Sequence, residues 1–133
     1  MPSNLNWPEN GMKFNLNLSL FFIFEGFSLV TDKGSCKSKK GKYLSGCAAS
    51  DVESHNNCGW SCISLGSCIA FNYRKDTQRC QLITTSKPGN GCPNVFTWYE
   101  KDGLAKSVDD LEVWEAATFV CYARIKIDKT ELR

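Results

Sequence analysis

The most apolar stretch of the chain is residues 16–30 (LNLSLFFIFEGFSLV), which carries one charge, Glu25, and is preceded by Lys13 and a second methionine, Met12. A basic residue, a short apolar run and then small residues, here Gly26 and Ser28, is the layout of a secretory leader. We therefore expect a signal peptide over residues 1–30, with translation starting at Met1 or Met12. The run is too short for a stable membrane span, which needs ~20 apolar residues.

Beyond residue 42 the pattern changes to short elements. Residues 43–46 read as a strand ended by Gly46. Residues 54–65 (SHNNCGWSCISL) read as a helix, with Ser54 as N-cap and Gly66 as stop. Gly59 inside it costs about 1 kcal/mol relative to alanine, so cross-links must support it. Residues 68–73 (CIAFNY) and 79–84 (RCQLIT) are rich in β-formers and are joined by the polar loop RKDTQ, which predicts a hairpin. A further strand is expected over 95–101, after the turn residues Pro88, Gly89, Asn90 and Gly91. Past Gly103, Ser107 and Asp110 resemble a capping box before Leu111, Trp114, Ala117 and Val120, which predicts a second helix. Residues 119–127 then alternate as a strand. The fold class is α+β, with one helix packed on a small antiparallel sheet.

Composition adds the compartment. The chain has 133 residues, 42% apolar, with a net charge of +2. That length argues for one domain, and the apolar content excludes a fully disordered chain. A near-balanced charge gives no general reason to expect nucleic acid or membrane lipid as partner. Eight cysteines behind a leader read as a disulfide framework in an extracellular protein. Cys58 and Cys62 are four apart, so on a helix they share a face. If Tyr73 pairs with Arg79, Asn72 lies opposite Cys80, and Cys68 shares the face of Cys80. This favours nested bonds Cys58–Cys80 and Cys62–Cys68. Either Cys36 or Cys47 is expected to join Cys92, and spacing does not choose between them. The partner of Cys121 is left open.

The motifs CGWSC (58–62), SCIAFNY (67–73) and RCQL (79–82), with Leu44-Ser45-Gly46 before them and WYEK (98–101) after, resemble the PAN/apple domain family. The resemblance covers residues 36–102, about half the chain. It implies a cystine-stapled helix cradled by a curved antiparallel sheet, with the nested bonds above. It also implies an extracellular recognition module that binds proteins or carbohydrate. Residues 103–133 have no counterpart in one such unit and stand as a C-terminal extension.

No catalytic motif accompanies this framework. His55 is the only histidine, no nucleophile elbow is present, and His55 reads as a polar residue of the first helical turn. Cys58, Cys62 and Cys68 lack the second knuckle of a zinc site. No enzyme activity, metal or cofactor is expected. Ligand contacts are expected instead at two basic features and one ring. The first is the run Lys33, Lys37, Lys39, Lys40 and Lys42, with Lys39 and Lys40 at its centre. The second is the hairpin tip, with Arg74, Lys75 and Arg79. Trp60 is the candidate exposed ring on the helix. Phe71, Tyr73, Phe96, Trp98 and Tyr99 are assigned mainly to the core. The function expected is non-catalytic recognition of an extracellular protein or glycan. The alternative is a small secreted inhibitor or toxin-like effector that presents the basic hairpin loop.

Overall fold

A computed structural model of the chain describes residues 26–124. Most of the expected leader, and the stretch 125–133, lie outside the described residues. Eight strands and one helix follow in order: β1 (Phe27–Thr31), β2 (Gly34–Ser38), β3 (Gly46–Ala49), α1 (His55–Ser64), β4 (Cys68–Arg74), β5 (Arg79–Thr84), β6 (Thr97–Tyr99), β7 (Leu111–Glu115) and β8 (Phe119–Arg124). Six strands form one antiparallel sheet in the order β1-β8-β4-β5-β3-β6, and β2 pairs with β7 as a separate ribbon.

The helix starts where the sequence places it. Ser54 is extended, and its hydroxyl accepts from Asn57 N–H at 3.2 Å. The helix closes at Leu65, whose N–H donates to the Cys62 carbonyl. Cys58, Gly59 and Cys62 form its buried stripe. Gly59 is thus buried between the two cystine positions, whose cross-links hold a helix of poor propensity in place.

Cystines join these elements: Cys58–Cys80 and Cys62–Cys68 staple the helix to the hairpin. The expected pairs form, yet the register differs from the one used to predict them. Tyr73 pairs with Cys80 and Arg74 with Arg79, one residue from expectation. Asn72 therefore lies on the face away from Cys80, and simple alternation would leave Cys68 there too. A bulge between Cys68 and Ala70 returns Cys68 to the helix side, opposite Thr84. Two departures from the regular pattern cancel.

The first strand of the expected core begins later than anticipated, at Gly46 rather than Tyr43. At Gly46 any Cβ would collide with the Leu82 carbonyl oxygen, so the strand pair closes only over glycine. The tail also differs. Ser107 does cap a turn, accepting from Asp109 N–H at 3.2 Å, but the 3₁₀ turn Val108–Asp110 ends after three residues. Leu111–Glu115 then runs as a strand against β2, where Lys37 faces Glu112 and Cys36 faces Val113. Pairing with a waiting strand overrides the helical spacing of Leu111 and Trp114.

The sheet extends past both expected bounds of the 36–102 unit. β8 occupies an interior place between β1 and β4, and Cys36–Cys121 ties it to the ribbon. Residues 27–30, expected in the leader, form most of β1, and Phe27 is buried against Phe71 with ring centroids 6.1 Å apart. The remaining cystine is Cys47–Cys92. It draws the loop after β5 back onto β3.

Two cores result. Residues directly opposite in register share a face, so Phe71, Tyr73, Cys80, Leu82 and Val120 face the helix. On the other face Ala70, Ile83 and Cys121 pack under the ribbon with Cys36, Leu44 and Ala105. The ribbon covers only part of that second face. The uncovered part is where the candidate site lies.

Candidate functional site

The open face carries a cleft of about 230 Å³ lined by Tyr43, Asn72, Arg74, Arg79, Gln81, Tyr99, Lys101 and Phe119. Strand register explains the gathering. Asn72 lies opposite both Gln81 and Cys121, and Arg74 lies opposite both Arg79 and Phe119. Tyr99 is opposite Gly46, which has no side chain to stand between it and the β5 neighbours. Tyr43 enters from the loop between β2 and β3.

The floor is a continuous chain of hydrogen bonds with a fixed direction. Asn72 Oδ1 accepts from Cys36 N–H at 2.7 Å, and Asn72 Nδ2 donates to the Cys36 carbonyl at 2.9 Å. Backbone groups of opposite kind thus set the amide's orientation. Its second proton goes to Gln81 Oε1 at 2.9 Å. Gln81 Nε2 must then be the donor at the far end, and it donates to the Leu44 carbonyl at 3.1 Å and to the Tyr99 hydroxyl oxygen. Tyr99 accepts in that bond, so its own proton is directed elsewhere. Burial pushes the Tyr99 phenol well above its ordinary value. The hydroxyl stays protonated and remains a donor.

The rim is cationic. Arg74 is held by Asp76, Nε to Oδ1 at 2.8 Å, and lies 5.6 Å from the centre of the Phe119 ring. Arg79 Nη1 reaches only Ser50 Oγ, at 3.4 Å, and Lys101 Nζ stands 6.0 Å from the Tyr99 ring centre. Among the described residues neither Arg79 nor Lys101 forms an ion pair. Lys37 Nζ lies 4.4 Å over the Tyr43 ring, which brings the lysine-rich run to the edge of the same cleft. No carboxylate is among the lining side chains.

The expected contact residues are distributed unevenly. Arg74 and Arg79 line the cleft. Lys75 turns away, its Nζ donating to the Asp32 carbonyl at 3.2 Å. Lys39 and Lys40 are exposed in the turn after β2, where Lys40 N–H donates to Ser38 Oγ at 3.3 Å. Trp60 is 53% exposed, but on the helix side of the sheet, away from the cleft. His55 opens the helix and stacks on Tyr122, 5.7 Å between ring centres. Burial and then the Lys75 charge lower its pKa from the ordinary 6.5. Cys36, Cys47, Cys58, Cys62, Cys68, Cys80, Cys92 and Cys121 are all in cystines.

The sequence does not mark Tyr43, Tyr99, Gln81 and Lys101 as contacts, and its pattern assigns Tyr99 to the core with Trp98. Neighbouring strand residues point to opposite faces, so one ring of the Trp98-Tyr99 pair had to lie on the open side. Among the described residues no group of His, Cys, Asp and Glu is placed to hold a metal ion, and no helix is long and apolar enough to cross a membrane. A scan against protein-family models, a search of curated proteins and a search of solved structures each found no match.

Proposed function

We propose that the protein is an extracellular, non-catalytic recognition module of the PAN/apple type, which binds a protein or carbohydrate ligand in the cleft on its open sheet face. The observation that carries this reading is the cleft itself: among the described residues Arg79 and Lys101 have no carboxylate partner, and they stand beside the rings of Tyr43 and Phe119. A ligand-binding surface of this kind needs rigid walls, and the four cystines supply them on both sides of the sheet. The same four bonds suit an oxidising compartment. The PAN/apple part of the reading rests on the order of the motifs in the sequence, which implies a helix stapled in the way of Cys58–Cys80 and Cys62–Cys68.

The cleft is favoured over the hairpin tip as the contact surface. At the tip Arg74 is paired with the Asp76 carboxylate, and Lys75 Nζ is turned to the Asp32 backbone carbonyl, which leaves Arg79 as the cation without either tie. The test is an array of extracellular proteins and glycans probed with the oxidised full-length chain. Selective capture that is lost on reduction supports a recognition module. A chain that captures nothing but blocks a soluble enzyme or channel would support the inhibitor reading instead.

A further inference from the structure

The hydrogen-bond direction in the cleft floor restricts the chemistry of the ligand. Asn72 and Gln81 spend their amide groups within the chain that runs from Cys36 to Tyr99. What the lining chiefly offers a ligand is donors: the Tyr99 hydroxyl proton, the Arg74 and Arg79 guanidinium groups and the Lys101 ammonium, beside the Tyr43 hydroxyl, which donates or accepts. A site that offers donors and positive charge selects a group that is all acceptor and negative, a carboxylate or a sulfate ester. The flanking walls are the Tyr43 and Phe119 rings, so the group that bears the anion also needs an apolar face. At about 230 Å³ the cleft is smaller than a drug-sized pocket and takes one ring. An aspartate or glutamate side chain supplies the anion without the ring. A sugar carrying an acid supplies both.

We propose, resting on the recognition-module reading above, that the cleft binds a single acidic sugar residue, a uronate or a sulfated hexose, through its anionic group. Tyr99, Arg79 and Lys101 donate to the anion, and the sugar's C–H face lies against Tyr43 and Phe119. Lys37, placed over Tyr43, adds screened attraction for the rest of an acidic chain.

The experiment is an NMR titration of the oxidised, isotope-labelled full-length chain with methyl glucuronide, glucose 6-sulfate, methyl glucoside and a sulfotyrosine peptide. Both acidic sugars are expected to move the amide signals of Tyr43, Arg79, Tyr99 and Lys101, while the neutral glucoside moves none. Tyr99→Phe keeps the ring and removes the proton, and Arg79→Gln removes a charge. Each should weaken the acidic sugars about ten-fold, as expected for a hydrogen bond to a charged group, with the remaining spectrum unchanged. Binding of the neutral glucoside at equal strength, or tighter occupancy of the cleft by sulfotyrosine, overturns the proposal. So does an absence of shifts with both acidic sugars. In that last case capture of proteins on the array would leave the recognition-module reading standing. Failure to capture anything would remove both.

Discussion

Asn72 grips the backbone of Cys36 from both sides, accepting its N–H at 2.7 Å and donating to its carbonyl at 2.9 Å. One buried side chain on β4 thereby fixes the height of the ribbon over the sheet and, through Gln81, the direction of the Tyr99 hydroxyl. Asn72→Ala leaves the Cys36 N–H and carbonyl and Gln81 Oε1 without their partner at a buried position. A loss of about 3 kcal/mol is expected, since each buried orphaned group costs ~1–3 kcal/mol. Urea unfolding of the oxidised protein measures it, and a loss near zero would mean that the amide network carries no weight.

The cystines should differ in what they contribute. Cys36–Cys121 spans 85 residues and Cys62–Cys68 spans 6. By loop-closure entropy alone the first is worth ~4.5 kcal/mol and the second ~2 kcal/mol. Paired serine substitutions, Cys36→Ser with Cys121→Ser against Cys62→Ser with Cys68→Ser, are expected to fall in that order of damage. The reverse order would show that helix docking, and not closure of the sheet, dominates stability.

Glycines separate in the same way. Gly46→Ala drives a methyl group into the Leu82 carbonyl oxygen and should prevent correct pairing of β3 with β5. Gly66→Ala meets nothing within 4 Å, and its effect should stay within about 0.5 kcal/mol, the usual range at an exposed site. Expression as soluble, fully oxidised protein, followed by thermal unfolding, distinguishes the two.

Stability should also depend on pH through His55. Its folded pKa is lowered below 6.5, first by burial and then by Lys75. Between that depressed value and 6.5 the unfolded chain binds a proton that the folded chain does not. Stability is therefore complete above 6.5 and is lost as pH falls through this window. Unfolding midpoints at pH 7.5 and 5.5 should differ, with the lower pH less stable. His55→Phe keeps a ring against Tyr122 and should shrink the difference; an unchanged difference would assign it to other groups.

Much of the helix side was legible in sequence because each signal there is local. Ser54, the spacing of Cys58 and Cys62, and the hairpin loop 74–78 lie within a few residues of what they specify. The open side depends on pairs distant in the chain. Gly34–Ser38 is a short polar strand that becomes visible only beside Leu111–Glu115, and the helical spacing of Leu111 and Trp114 conceals its partner. Strand β3 is built of Gly46, Cys47, Ala48 and Ala49, small residues with little β-propensity, held by packing against β5. The same distance explains the cleft. Arg74 and Arg79 are evident on the hairpin, whereas Tyr99 joins them through register across β3 and β6, and Tyr43 and Lys101 from the segments beside those strands.

If a ligand is held in this cleft, reversing the charge of the rim must remove its binding. Arg79→Glu combined with Lys101→Glu places two carboxylates at the rim, whereas Lys39→Glu combined with Lys40→Glu makes the same charge change in the exposed turn after β2. The oxidised chains are compared on one array of extracellular proteins and glycans at fixed ionic strength. The cleft pair is predicted to abolish the capture seen with the unaltered chain, and the turn pair to weaken it only modestly. Capture that survives reversal in the cleft and disappears with reversal in the turn would contradict the account.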